Sequence, residues 1–111
     1  MPDCTEKYRE VMDKVCEGFE PEKVLLIMRS FDFACAAHDG QKRMSGDPYI
    51  SHSVEVARIL KEMKMDAVTI SAGLLHDVIE DTRFTVEDIR KNSGEHTAFL
   101  VEGVSHVTAK V

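Results

Sequence analysis

His76 and Asp77, with Glu80 and Asp81 one turn later, set an imidazole and three carboxylates in the otherwise apolar run Leu74-Leu75-His76-Asp77-Val78-Ile79-Glu80-Asp81. On a helix, at about 100° per residue, Asp77, Glu80 and Asp81 fall about 100°, 40° and 140° from His76, so all four share one face. Leu75, Val78 and Ile79 occupy the other face and would anchor the helix elsewhere. Buried carboxylates this close repel one another unless a cation or a proton sits among them. A divalent metal is the simplest resolution. His52 adds a second imidazole, and two nitrogens with the Asp77 oxygen make a donor set suited to a first-row divalent ion. In the competing arrangement His52 caps a helix and Asp77 forms a buried ion pair with Arg43 or Arg58. Convergence of several ionisable groups favours the metal.

Glu80 and Asp81 are placed to orient an attacking water and carry protons without being primary ligands. A solvated helix C-terminus is their ordinary alternative, although negative charge there opposes the helix dipole and so needs a reason. Lys42, Arg43 and Ser45 lie in the loop that leads into His52, where the cations could offset phosphate charge or stack on a base. A merely solvated loop is the default for such residues. His38, His96 and His106 have no such convergence of ionisable groups and read as core or surface residues.

Helices must position these groups, since no segment alternates as a strand does. Tyr8, Val11, Met12, Val15 and Phe19 keep helical spacing, and Gly18 with Pro21 punctuates the chain before a second helix that runs from Val24 through His38 to Gly40. Asp39 to Ser51, with Gly40, Gly46 and Pro48, reads as an ordered loop long enough to be functional. A third helix is expected from about His52 to Lys64. Asp66 would cap the fourth, which bears His76 and Asp77. Thr85 and Asp88 resemble a capping box for the fifth, Gly94 stops it, and a sixth begins near Glu95. An all-helical fold follows. The sixth helix is apolar through Phe99, Leu100, Val104 and Val107, and the chain stops at Val111 without a polar cap. This reads as an interrupted domain whose exposed surface would favour self-association or a continuation.

At 111 residues the chain suits one domain, and no stretch approaches the roughly 18 apolar residues of a membrane span. The acidic N-terminal segment is unlike a signal sequence, so the expected location is cytoplasmic, away from membranes. Cys4, Cys16 and Cys35 are odd in number and read as free thiols of a reducing compartment, with Cys35 in the core. A net charge of −6 argues against sequence-independent binding to DNA, which needs a basic surface. A small polyanion is still compatible, given a local cationic or metal site.

The stretch from Ala36 to His52 (AAHDGQKRMSGDPYISH) and that from Leu74 to Thr82 (LLHDVIEDT) together closely resemble the N-terminal hydrolase domain of the RelA/SpoT-homologue family, one of the HD-type metal-dependent phosphohydrolases. The likeness runs from about residue 25 to Val107 and includes Val101-Glu102-Gly103-Val104. It implies an all-α HD-domain helical bundle, of which residues 1–111 are the N-terminal portion. It also implies a manganese-dependent activity of the stringent response, removal of the 3′-diphosphate from the alarmones ppGpp and pppGpp to give GDP or GTP and pyrophosphate. By motif, His52, His76 and Asp77 would be metal ligands, and Glu80 and Asp81 the acidic pair that activates water. Arg43 would pack against the guanine, with Ser45 in the same substrate loop. The family completes its metal site with an aspartate from a later helix, expected beyond Val111, so the isolated chain is expected to be weak or inactive. Ser53 stands where a proline is usual after the histidine, and Ser105-His106-Val107 replaces a common Thr-Lys-Leu. Many relatives continue into a synthetase domain, so a longer parent could be named a GTP pyrophosphokinase, though no synthetase residues occur here. The alternatives are an HD phosphohydrolase acting on another nucleotide and a catalytically incomplete regulatory or assembly module.

Overall fold

A helix without a charged residue has no face to give to water, and the segment Ala67–Leu75 (AVTISAGLL) is one. In the computed structural model it becomes the centre of the molecule. The structure describes the backbone of residues 4–42 and 44–109 and the side chains of residues 6–42 and 44–104. Among the described residues eight helices follow in order: α1 (Cys4–Lys7), α2 (Arg9–Cys16), α3 (Pro21–Ala37), α4 (Tyr49–Glu62), α5 (Ala67–Leu75), α6 (Val78–Asp81), α7 (Val86–Ser93) and α8 (Glu95–Ala109). Among the described residues the sole extended pairing is one isolated antiparallel bridge between Lys42 and Pro48. The all-helical expectation holds.

The uncharged α5 packs against α3, α4 and α8. Ile70, Leu74 and Leu75 are fully buried with Phe31 and Ile27 of α3, Val101 of α8 and Ile89 of α7. Asp66 caps α5 as its sequence position suggests, its Oδ1 accepting from Thr69 N–H at 2.8 Å. The expected capping box at α7 is also present, with Asp in the acidic position. Gly94 carries φ 93° between α7 and α8, a conformation that side chains with a Cβ rarely adopt, so the chain can reverse there.

Two expectations need correction. The single fourth helix is broken: α5 ends at Leu75, His76 and Asp77 form a turn, and α6 resumes at Val78. The His76 ring causes this locally, because its Nδ1 lies 2.7 Å from the Gly73 carbonyl, the group an unbroken helix would give to Asp77 N–H. His76 N–H also reaches that carbonyl, at 3.5 Å, in a tightened turn. The second correction concerns cysteine. Cys16 is a buried free thiol, but Cys35 is disulfide-bonded. The odd count was a poor guide because three cysteines leave room for a bridge beside one free thiol; the side chain of Cys4 lies outside the described residues. The cysteines therefore lend no support to a reducing compartment. No described helix is long and apolar enough to cross a membrane.

On α8, Phe99 is 67% and Val104 46% exposed, while Leu100 packs against the core. The side chain of Val107 lies outside the described residues.

Candidate metal centre

Three ligand atoms, one each from His52, His76 and Asp77, lie within 4.8 Å of one another. His52 comes from the first turns of α4, and the other two from the turn after α5. What brings them together is the approach of α4 to α5 at Gly73, where an added Cβ would lie 2.6 Å from Leu60 Cδ1 and 3.2 Å from Val56 Cγ1. The Asp77 carboxylate is the shared point: its Oδ2 is 3.1 Å from His76 Nε2 and 3.8 Å from His52 Nε2. The two rings meet edge-on with centroids 5.2 Å apart.

This arrangement fits a divalent ion. Ligand bonds of roughly 2.0–2.2 Å place neighbouring donors about 3–4 Å apart, and both imidazole distances to Asp77 Oδ2 fall in that range. The Gly73 carbonyl can only accept, so His76 Nδ1 must carry the proton and Nε2 is the nitrogen available for coordination. Without an ion, Nε2 faces the Asp77 carboxylate instead, and His76 is held between two acceptors. The hydrogen bond to Asp77 is the main reason its pKa lies above the ordinary value near 6.5, with the Gly73 carbonyl and the charges of Asp77 and Glu80 adding to it against desolvation. The same hydrogen bond is the main reason the Asp77 carboxyl lies below its ordinary value, helped by the charges of His76, His52 and His38.

The competing structural arrangement fails in two respects. His52 is not a cap, because α4 starts at Tyr49 with Pro48 in the cap position. Arg58 is taken by Glu55 and Glu62 on its own helix and does not pair with Asp77. Arg43 lies outside the described residues, so neither its expected guanine contact nor a pairing with Asp77 can be placed.

Glu80 and Asp81 are exposed rather than buried as the opening pattern suggested. Being at the end of a short helix, they are raised out of the core by Val78, which is fully buried beneath them. Lys42 and Ser45 are also exposed, and the Ser45 hydroxyl donates to Asp47 Oδ2 at 3.2 Å. The loop nevertheless lies against the acidic turn. Gln41 Nε2 donates to the Asp81 carbonyl at 2.8 Å, and Gln41 Oε1 is 3.0 Å from Nδ1 of the buried His38. Sequence reasoning gave Gln41 no role and read His38 as a core or surface residue.

The chain matches the HD domain family over residues 30–110. It is 46% identical over 97 residues to the bifunctional (p)ppGpp synthase/hydrolase SpoT of Escherichia coli, covering 86% of this chain and 14% of that protein. It is 51% identical over 98 residues to the guanosine-3′,5′-bis(diphosphate) 3′-pyrophosphohydrolase of Vibrio cholerae, covering 88% of this chain and 14% of that one. A GTP pyrophosphokinase of Streptomyces coelicolor is 49% identical over 79 residues, 71% of this chain and 9% of that protein. The chain thus spans about a seventh or less of the length of these relatives. An HD domain implies a divalent-metal site, and His52, His76 and Asp77 form a cluster that could hold such an ion. The chain belongs to the HD domain family, as a domain of the RelA/SpoT-homologue type.

Proposed function

We propose that this chain is the amino-terminal portion of an HD hydrolase domain that removes the 3′-diphosphate of ppGpp and pppGpp, acting in the cytoplasm with manganese. The observation that carries the reading is the convergence of His52, His76 and Asp77, with the loop of Lys42 and Ser45 tied beside the turn of Glu80 and Asp81. In it, His52 Nε2, His76 Nε2 and one Asp77 oxygen hold the ion. A bound divalent ion would supply Lewis acidity toward the phosphate and make water more acidic.

The remaining roles belong to the chain. Glu80 and Asp81 accept hydrogen bonds from the attacking water and take its proton as the new P–O bond forms. The bond between the 3′-oxygen and phosphorus breaks, pyrophosphate leaves, and the 3′-oxygen takes up a proton to give GDP or GTP. Lys42 and Arg43 offset phosphate charge, Arg43 packs on the guanine, and Ser45 donates to the substrate. The printed names of the relatives support this choice of substrate.

Calorimetric titration of this chain with manganese, paired with a pyrophosphate-release assay on ppGpp that compares it with a version extended through the later aspartate, tests the reading. Manganese should bind the wild-type chain, and His76→Ala and Asp77→Ala should weaken it by about 100-fold or more, since even losing an outer partner of a ligand costs about 10–100-fold. Equal binding by all three proteins would remove the metal site. Release from another nucleotide but not from ppGpp would instead favour the broader HD phosphohydrolase reading.

A further inference from the structure

Gln41 makes more directed contacts than a solvated loop residue requires. Its N–H donates to the His38 carbonyl at 2.9 Å and its own carbonyl accepts from Tyr49 N–H at 3.3 Å, closing the loop across its two ends. Those backbone bonds suffice for a turn. The side-chain amide does something else, reaching the Asp81 carbonyl forty positions further along the chain.

The polarity of this link follows from one atom. A backbone carbonyl can only accept, so the NH₂ of Gln41 faces Asp81, its oxygen faces His38, and His38 Nδ1 is the donor. His38 in turn is held firmly. It is 3% exposed, and its ring lies on Tyr49 with centroids 5.2 Å apart and planes within 7° of parallel. The link therefore runs from a fixed imidazole at the end of α3, through an amide in the loop, to the backbone of the acidic turn.

We propose that Gln41 is a positioning residue: a strut that keeps the loop carrying Lys42 and Ser45 in register with the turn carrying Glu80 and Asp81. Its purpose rests on the hydrolase reading above, in which the loop binds the nucleotide and the turn directs the water. A shift of either element moves the attacking oxygen off the line of the breaking bond, and small misplacements of that kind lower turnover steeply. His52, His76 and Asp77 are carried by α4 and by the end of α5, so the strut serves alignment and not metal affinity.

Hydrogen exchange read by mass spectrometry, with and without manganese, separates these roles in the wild type, Gln41→Glu and Gln41→Met. The glutamate keeps an acceptor for His38 but sets an acceptor against the Asp81 carbonyl, and methionine removes both bonds. In the wild type, manganese should slow exchange in segment 77–82 and in the loop 40–48 together. In both variants the turn should still respond at unchanged manganese affinity, while the loop no longer follows and exchanges about three- to tenfold faster, as expected for one hydrogen bond. In a version extended through the later aspartate, the turnover number for pyrophosphate release should fall about tenfold in both variants while manganese affinity stays put. A loop that still follows the metal in both variants would overturn the strut. If the wild type takes up no manganese, the hydrolase reading fails by itself. The metal-free samples then decide: faster loop exchange in both variants keeps the strut, and equal exchange removes it.

Discussion

Glu87 and Asp88 sit in the first turn of α7, where negative charge meets the positive end of the helix dipole. Asp88 Oδ2 accepts from Thr85 N–H at 2.9 Å, Thr85 Oγ1 accepts from Asp88 N–H at 3.3 Å, and Glu87 pairs with Arg90. Seven positions earlier, Glu80 and Asp81 present the same two residue types on α6, which is a single turn without a side-chain cap. At its end the Thr82 hydroxyl, not a carboxylate, bonds the Val78 carbonyl at 2.7 Å. One acidic pair is committed to holding a helix end. In the other, Glu80 directs its charge toward His76, whose protonated form it helps to favour. The difference teaches that the function of a carboxylate pair is read from what the neighbouring backbone asks of it.

The sharpest way to break this comparison is to neutralise each pair in turn. In a version extended through the later aspartate, Glu80→Gln should lower pyrophosphate release by about 100-fold or more, the usual contribution of an acid or base to catalysis, with manganese affinity little changed. Asp81→Asn should behave similarly, and Glu87→Gln should leave release as it was. Wild-type rates in Glu80→Gln would return the α6 pair to the status of the α7 pair.

A smaller effect concerns protons at the metal corner. His76 is raised, so its contribution to the stability of the metal-free fold is complete below its ordinary pKa near 6.5 and is lost as pH rises through the raised value. Asp77 is lowered, so its contribution is present above its ordinary 3.8 and is lost as pH falls through the lowered value. Between the two values the pair supports itself. Manganese must displace the His76 Nε2 proton, so affinity should fall about tenfold per pH unit below the raised pKa and level off above it. Titrations in buffers of different ionisation enthalpy would detect the released proton. Affinity flat with pH would show that His76 is not a ligand.

The smallest effect is thermodynamic. Asp88→Ala should cost about 1 kcal/mol through loss of the capping box, a drop of roughly 4 °C in Tm, with release unaffected. Asp81→Ala should stay within about 0.5 kcal/mol of the wild type. Thermal melts of the two proteins check this, and equal destabilisation would erase the contrast between the helices.

Much of the scaffold was legible because it depends on short-range chemistry. The caps at Asp66 and Thr85, the stop at Gly94 and the buried character of α5 all follow from residues within a few positions of one another. The meeting of His52 with His76 and Asp77 was legible as well, because their residue types had one economical explanation. The break at His76 was not. Periodicity sees a continuous apolar helix, and nothing in it records a ring competing for the Gly73 carbonyl. Gln41 was hidden for a related reason: a glutamine in a polar loop looks solvated, and its partner at Asp81 is a main-chain oxygen, which no residue type announces. Glu80 and Asp81 were read as buried because their helix was taken to continue, whereas its shortness leaves them exposed.

Gly73 has one more consequence, for anyone seeking a hardier version of this protein. In a solvent-facing helix, exchanging glycine for alanine gains about 1 kcal/mol, and Gly73 in the interior of α5 is the obvious candidate. Here the new methyl would press on Leu60 and Val56 of α4, the helix on which His52 rides. The same residue supplies the carbonyl that selects the coordinating nitrogen of His76. The gain in helix propensity is thus set against a clash beneath the helix that carries His52, and a variant that relieved the clash by moving α4 would have the looser site.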